Sequence, residues 1–463
     1  MVTVARPRAI ALALSCALFM HLADTYALAT LLPVLALDFE VSPIRLKYAL
    51  TVYLLISAVM IPVSGWLADR WGPRRIFLLS IALFLTGSIC CALSRDALEL
   101  TFARALQGLG GGVMVPVARL IVVRSSTKVE LVKTLNWFTV PAIMGPLLGP
   151  TIAGYLAEYS SWRFAFLMNL PIGLIGALLV VRYVPSHMLP PPGRVDFLGV
   201  VLVGSSILGV MVLADTGGSG LLSGTVFFAL LTLTLCCVLV SIRHLRRVEN
   251  PVLDLSLVGF ASFRAALVGG GLLRFSLAAT PFLLPIMLQT AFGWPPSSAG
   301  LVLLWAATGA ILGRLFSVRL IEYIGFRNLL IISGFMAAIF VMVPGFYVMT
   351  TPKILIFSVA MVTNLLFTAH YAASNALIFA DIPEGLTNAA STLSVVAQQI
   401  TQSLGISLAA LVLHLSVQDS GGEIMAASFL MPFLVLGSAG LLALPLYLSL
   451  SRDAAQNMTV GGR

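Results

Sequence analysis

The sequence predicts an all-α membrane protein with about 14 transmembrane helices, arranged as two six-helix bundles plus two inserted helices. Of its 463 residues, 59% are hydrophobic and only 10% are charged, whereas soluble domains carry roughly 25% charged residues. Apolar runs of about 20 residues recur along the whole chain. A short charged loop also occurs twice, once in each half. No polar stretch is long enough to form a separate soluble domain.

Each apolar run has about the length that crosses a hydrocarbon core of roughly 30 Å. The first run, residues 9–37, is too long for the apolar region of a signal peptide, so we expect a retained first helix. The five cysteines all lie in apolar runs, and we expect buried thiols without disulfides. The predicted segments are residues 9–33, 45–67, 76–94, 99–119, 134–157, 162–184, 197–214, 222–241, 262–288, 298–318, 328–349, 354–379, 388–415 and 425–449.

The positions of Lys and Arg predict the orientation of these segments. With the N-terminus in the cytoplasm, most of the 27 Lys and Arg residues lie in cytoplasmic loops. The far side then holds Arg45, Lys47, Arg95, Arg163 and Lys353. Positively charged loops favour the cytoplasmic side, so both termini are expected there. This placement accounts for the net charge of +9 without any nucleic-acid partner.

Two polar linkers suggest the domain organisation. The linker from Pro185 to Arg194 contains three consecutive prolines and a glycine, which cannot form the interior of a helix. The other linker runs from Arg243 to Leu255. We therefore predict an N-terminal six-helix bundle at residues 1–185, two additional helices with their linkers at 186–255, and a C-terminal six-helix bundle at 256–463.

The duplicated loop joins the second and third helices of each predicted bundle. Glu322, Gly325 and Arg327 repeat the spacing of the first copy. The first copy comprises Gly65, Asp69, Arg70, Gly72, Arg74 and Arg75. Membrane proteins built from two repeated halves are typically transporters.

Several ordered motifs resemble the major facilitator superfamily in its fourteen-helix drug:proton antiporter branch. They are the 65–75 loop, Arg104 to Gly112 on the fourth helix, Pro141 to Pro150 on the fifth, Asp24-Thr25 with Pro33 on the first, Trp162 to Gly173, and Asp196 to Gly199. The fifth-helix motif departs from the family pattern, because Pro141 and Pro150 stand where glycine is usual. The resemblance implies a major facilitator fold and export of drug-like small molecules in exchange for protons, without a cofactor. It also implies a conformational latch on the cytoplasmic side, formed by the two loops.

Asp24 is the one acidic residue predicted deep inside a membrane segment, and intramembrane acids are usually functional. We expect it to carry the coupled proton, although a structural acid bonded to a neighbouring helix is the alternative. His21 shares its helix face and either relays protons or packs as a hydrogen-bonded residue. Arg104 either takes part in proton coupling, as the resemblance implies, or holds helices together. Gln107 lies on the same face as Arg104.

Other polar residues are candidates for a substrate cavity. Shifted by the offset between Asp69 and Glu322, Asp24 maps within one turn of Arg274. Arg274 could bind an anionic group, pair with Asp24, or extend toward an interface. The further candidates are Gln107, Asn364, His370, Asn375 and Gln398, for which hydrogen bonding between helices is an equally good explanation.

Gly145 and Gly149 lie four residues apart on one helix face, where small residues allow helices to approach closely. Pro146 and Pro150 bend the same segment. This antiporter motif is expected to form a pliable interface between the two halves, or simply to pack helices. The glycines of the fourth helix are expected to act in the same way.

The sequence contains no phosphate-binding loop for ATP, no metal-ligand cluster and no nucleophile–base pair, so we expect no enzyme activity. The expected protein is a bacterial inner-membrane exporter, monomeric, whose partners are protons, lipid and a small-molecule substrate. One membrane acid stands against Arg104 and Arg274, so a dedicated exporter of an organic anion, a siderophore or a metal chelate such as citrate is the alternative. A further alternative is a sensor that retains a transporter fold without transporting.

Overall fold

The computed structural model describes residues 7–42, 45–125, 131–185, 196–216, 223–248, 251–383, 386–419 and 423–451. Across these residues the regular secondary structure is helical throughout. The chain divides into two compact units. The first unit comprises Met1–Val200 and Pro295–Gly300, and the second comprises Val201–Trp294 and Leu301–Arg463. The three-part division predicted from the linkers stays a prediction.

In its described residues, the first unit contains six helical segments. Their helices are α1 Pro7–Asp38, α2 Lys47–Trp71, α3 Pro73–Leu93, α4 Ala97–Ser125, α5 Leu131–Tyr159, α6 Trp162–Leu167 and α7 Asn169–Tyr183. In this unit α1 packs against α5 and α7, and α4 packs against α2 and α3. The sixth segment is interrupted at Met168, between α6 and α7. Pro171 has no backbone N–H for the carbonyl of Leu167, which accounts for an interruption there.

Two further helices follow, α8 Phe197–Thr216 and α9 Gly224–Leu245. The Oγ atoms of Ser206 and Ser241 lie 2.9 Å apart and join them by a hydrogen bond. Gly209 provides the room for Thr234 at the same contact. The predicted second linker begins too early, because α9 continues to Leu245 and includes Arg243. Residues 186–195, which hold the three consecutive prolines, lie outside the described residues.

The remaining helices lie in the second unit, apart from the start of one of them. They are α10 Ala261–Arg264, α11 Gly270–Ala278, α12 Thr280–Ile286, α13 Pro296–Met342, α14 Lys353–Leu377, α15 Thr387–Asp419, α16 Leu430–Leu441 and α17 Leu444–Leu448. The start of α13, up to Gly300, belongs to the first unit. Single π-helical turns at Ala265–Gly269 and Met287–Ala291 flank α11 and α12, so residues 261–291 form one irregular span. Among the described residues, 11 helices are long and apolar enough to cross a membrane. The total of 14 stays a prediction.

In both copies of the duplicated loop, only one residue, a glycine, departs from helical backbone angles. The segments predicted as loops are helical on either side of Gly72, which has φ 90° and ψ 132°, and of Gly325, which has φ 77° and ψ 163°. Residues with a Cβ atom are excluded from this backbone region by steric clash. The repeated glycine therefore allows the chain to reverse without any longer loop.

The cysteines form no disulfide, but the expected burial is wrong for two of them. Cys91 is buried, whereas Cys90 and Cys236 are exposed on the helix surface. Neighbouring positions on a helix point in different directions, so an apolar run does not determine which residues face inward.

Candidate functional site

The carboxyl group of Asp24 lies inside the first unit, where side chains from two other helices, α4 and α7, bind it. Asp24 is only 2% exposed, and Arg104, Gln107 and Asn169 are fully buried. Arg104 forms an ion pair with Asp24 Oδ2 through Nη1. The Nδ2 atom of Asn169 donates to Asp24 Oδ1 over 2.9 Å, and Gln107 Nε2 lies 3.3 Å from the same oxygen. All hydrogen bonds described at this carboxylate come from N–H groups.

The network continues around Gln107. Its Oε1 accepts hydrogen bonds from Arg104 Nη1 at 2.7 Å and from Cys91 Sγ at 3.2 Å. Its Nε2 donates to Ser88 Oγ at 2.7 Å, and Asn169 Nδ2 lies 3.2 Å from that hydroxyl. Gln107 was expected in a substrate cavity, but the structure places it in this closed network beside Asp24.

Arg104 also contacts the second helix. Its guanidinium carbon lies 4.1 Å from the ring centroid of Tyr53, and Nε reaches the carbonyl of Ala49 at 3.4 Å. Tyr53 Oη is hydrogen-bonded to His21 Nδ1 at 2.6 Å. His21 therefore joins the Asp24 site through Tyr53, which sequence reasoning missed because an aromatic residue in an apolar run resembles ordinary packing.

The glycines of the fourth and fifth helices pack inside the first unit. A Cβ atom at Gly145 would lie 2.8 Å from the carbonyl oxygen of Phe19, and one at Gly149 would overlap the carbonyl of Ala23. On α4, a Cβ at Gly111 would lie 2.8 Å from Tyr53 Oη. Their neighbours are thus the helices that hold Asp24 and its partners, so these glycines pack helices within the bundle, and the expected interface between halves stays a prediction. Pro146 and Pro150 lie in α5 beside these glycines.

The second unit contains a separate polar cluster, half-buried and centred on Tyr371. Arg274 Nη2 donates to Asn375 Oδ1 at 3.2 Å, and its guanidinium carbon lies 4.5 Å from the Tyr371 ring centroid. Tyr371 Oη donates to Gln398 Oε1 at 3.1 Å. Arg274 has no carboxylate partner among the described residues, and its buried Nε has no hydrogen-bond partner there. Three predicted cavity residues are therefore brought together by a tyrosine that was not predicted.

The other two cavity candidates in this unit lie elsewhere. His370 is buried, with Nε2 2.9 Å from Tyr447 Oη and Nδ1 3.3 Å from Ser333 Oγ. These contacts are the hydrogen bonding between helices that was considered as the alternative. Asn364 donates to the carbonyl of Ala360 in its own helix at 3.1 Å.

The two loop arginines bind the ends of helices. Arg74 Nη2 donates to the Val181 carbonyl near the end of α7, and Arg327 Nη2 donates to the Leu448 carbonyl at the end of α17. Arg70, Arg75 and Glu322 are exposed. A Cβ atom at Gly65 would meet no atom within 4 Å, so no described neighbour requires a glycine there. The side chain of Asp69 lies outside the described part of the structure.

Two helical units of membrane-spanning segments, one of which encloses an ion pair, define a polytopic α-helical membrane transporter. The sequence profile of the Major Facilitator Superfamily matches residues 14–406. The chain belongs to the Major Facilitator Superfamily.

Relatives of nearly equal length support this assignment. The chain is 30% identical over 462 residues to a protein of Enterobacter sp. (strain 638) named as a multidrug resistance protein, MdtD, with 96% of this chain and 95% of the relative covered. It is 33% identical over 404 residues to the protein of the same name from Pectobacterium carotovorum subsp. carotovorum (strain PC1), with 86% of each chain covered.

Solved structures of low sequence identity share the fold. A D-xylose-proton symporter matches with a TM-score of 0.68 and 15% identity, covering 96% of this chain and 98% of that one. A peptide transporter, POT, in complex with sulfate matches with a TM-score of 0.69 and 14% identity, covering 96% of each chain.

Proposed function

We propose that this protein is a proton-coupled antiporter that exports drug-like small molecules from the cytoplasm by alternating access. The observation that carries the proposal is the Asp24 carboxyl group, enclosed in a membrane bundle and paired with Arg104. A proton that binds Asp24 cancels the carboxylate charge and leaves the guanidinium unpaired in a region of low polarity, which is strongly unfavourable. Proton binding therefore favours any conformation in which Arg104 finds water or another partner.

Asp24 is only 2% exposed, so proton exchange requires the bundle interior to open. Alternating access supplies such opening, first to one side of the membrane and then to the other. The membrane potential contributes about 2.3 kcal/mol per charge per 100 mV to inward proton movement. The relatives named as multidrug resistance proteins support drug-like substrates.

The proposed setting is the inner membrane of a bacterium, with both termini in the cytoplasm. The protein works as a monomer whose partners are protons, lipid and its substrate, without nucleic acid, cofactor or catalytic activity. The Lys and Arg distribution supports this orientation.

The test is transport by purified protein in proteoliposomes under an imposed pH gradient, with a broad substrate panel. The wild-type protein should drive the substrate against its concentration gradient. Protons should move in the opposite direction, and the luminal pH should change with them. Asp24→Asn should abolish gradient-driven transport in protein that is still expressed and folded, although the loss of its pair with Arg104 lowers its stability. Asp38→Asn is the matched control, since that acid pairs with Arg163 at a half-exposed site. Unchanged gradient-driven efflux in Asp24→Asn would refute the proton-coupling role.

The second candidate is a dedicated exporter of an organic anion, a siderophore or a metal chelate such as citrate. Arg274 favours it, because this half-buried cation has no carboxylate partner among the described residues of the chain. Counterflow with labelled citrate-like anions and with cationic dyes separates the two candidates. Exchange of the anions alone would select the second.

A further inference from the structure

The hydrogen bonds around Asp24 suit only its ionised form. Oδ1 faces the side-chain N–H groups of Asn169 and Gln107, and Oδ2 faces Arg104. A protonated carboxyl group carries an O–H, which needs an acceptor. No acceptor oxygen bonded to Asp24 is described at this site, so one of the surrounding groups must reorient when the proton binds.

Gln107 is held in its present orientation from both ends. Its Oε1 accepts hydrogen bonds from Arg104 and Cys91. Exchanging the oxygen and nitrogen of this amide would place an N–H group against the Arg104 N–H groups, leaving donors facing donors.

Asn169 is not held in this way. Its Nδ2 donates to Asp24 and Ser88, whereas its Oδ1 is buried and accepts no hydrogen bond in the described structure. A rotated amide would point Oδ1 at Asp24, where it can accept the carboxyl O–H. The Ser88 hydroxyl suits both orientations, because a hydroxyl both donates and accepts.

The helical hydrogen-bond pattern beside Asn169 is irregular. Asn169 is the first residue of α7, two residues before Pro171 and directly after Met168, which separates α6 from α7. Met168 itself has helical angles, φ −61° and ψ −21°, and its N–H bonds the carbonyl of Phe164 at 2.9 Å, so the chain continues through a helical turn at this point.

We propose that the Asn169 side-chain amide is a positioning residue that switches with the proton on Asp24, donating to the carboxylate and accepting from the carboxyl group. The proposal rests on the proposed coupling role of Asp24 and extends it to the sixth membrane segment. Proton binding to Asp24 thereby changes a hydrogen bond at the junction of α6 and α7.

The other titratable or charged groups that face Asp24 are His21 of α1, Tyr53 of α2, Cys91 of α3 and Arg104 of α4. From α5, Gly145 and Gly149 lie against Ala23 of α1, and α7 contributes Asn169.

The experiment is an infrared pH titration of the full-length protein in lipid, which detects carboxyl and amide carbonyl stretches directly. Asp24→Asn identifies the carboxyl band of Asp24. In the wild type, a side-chain amide band should change with the same pH midpoint as that carboxyl band. The amide change should vanish in both Asp24→Asn and Asn169→Leu. Asn364→Leu is the matched control, because this amide bonds only its own helix in the described structure.

The pH midpoint gives a second readout. Hydrogen bonds to charged groups are about twice as strong as neutral ones, so the lost donor destabilises the carboxylate more than the lost acceptor destabilises the carboxyl group. The midpoint of the Asp24 band should therefore rise by about one pH unit in Asn169→Leu. Asn169→Ser retains a group that donates and accepts, and it should titrate nearer the wild-type midpoint. Asn169→Ala replaces Asn169→Leu if the latter does not fold.

The outcomes separate this inference from the proposed function. An unchanged midpoint in Asn169→Leu, or a wild-type titration without an amide change, overturns the switch and leaves proton coupling by Asp24 intact. A titrating Asp24 band with normal gradient-driven transport in Asp24→Asn overturns the proposed function instead. Absence of any Asp24 carboxyl band across the pH range overturns both.

Discussion

Arg74 donates a hydrogen bond from Nη2 to the carbonyl oxygen of Val181 over 2.7 Å, and this contact recurs in the second unit. There Arg327 Nη2 lies 2.8 Å from the carbonyl oxygen of Leu448. In each case an arginine that begins one helix binds the last turn of another, where unpaired carbonyls and the helix dipole attract a cation. The duplicated loop therefore holds the last helix of its own unit.

Arg74→Ala and Arg327→Ala should each destabilise the protein by about 1 kcal/mol, since each removes a charged donor from a helix end. Thermal unfolding followed by size-exclusion chromatography should show a lower midpoint for both. Arg75→Ala is the matched control, because Arg75 is exposed. An equal loss in Arg75→Ala would mean that the effect comes from loop charge and not from the helix ends.

Substituting alanine at Gly72 or Gly325 should cost about 1–3 kcal/mol each, because both glycines have positive φ in a region closed to other residues. Open space around both positions means that strain alone would cause the loss. Gly65→Ala serves as the control, as this glycine is helical and also has open space. Thermal stability of the three variants checks the prediction, which is wrong if Gly72→Ala behaves like Gly65→Ala.

Gly149→Ala should separate α5 from α1 next to Asp24. Its added methyl would overlap the backbone of Ala23, and backbone atoms cannot move aside cheaply. Overpacking of this kind costs typically 1–3 kcal/mol, and gradient-driven transport should fall with it. Gly224→Ala, with no atom within 4 Å of the added methyl, should retain both stability and transport. Wild-type behaviour of Gly149→Ala would show that this contact is dispensable.

Arg104→Gln should destabilise the protein more than the double change Asp24→Asn with Arg104→Gln. The single change leaves the buried carboxylate without its cation, a loss of about 3–5 kcal/mol for buried pairs, whereas the double change leaves two neutral groups. Denaturation midpoints of the wild-type protein, both single variants and the double variant form the necessary cycle. A double variant no more stable than Arg104→Gln would indicate that the two charges are not coupled.

The fold was predictable because membrane helices need long apolar runs, and these are visible in any sequence window. Loop lengths were overestimated around Gly72 and Gly325, since charged residues such as Asp69 and Glu322 continue the helices beyond the apolar core. Helix ends follow backbone geometry as well as hydropathy, and the sequence pattern reports mainly the latter.

The candidate site was predictable only in part. Asp24 and Arg104 stand out as charges in apolar runs, but their pairing was not predicted, and Arg274 was the residue considered as a partner for Asp24. Asn169 was missed as a site residue because it lies 145 residues from Asp24 along the chain. Gln107 was assigned to a cavity, since helical spacing shows which residues share a face but not what that face contacts. His370 was assigned to the cavity for the same reason.

Arg274 provides the sharpest distinction between the two substrate classes. If the substrate is an anion, Arg274→Gln should raise its KM about 10- to 100-fold, because a half-buried charged hydrogen bond contributes roughly 1.5–3 kcal/mol. Arg274→Lys should recover part of the loss, since lysine keeps the charge but not the planar fork that binds a carboxylate through two N–H groups. Asn364→Ala is the control for loss of a polar group from the same unit. Anion counterflow in proteoliposomes checks the prediction. If the substrates are cationic or neutral drugs, Arg274→Gln should leave their KM unchanged or lower it, because removal of a nearby positive charge favours a cation.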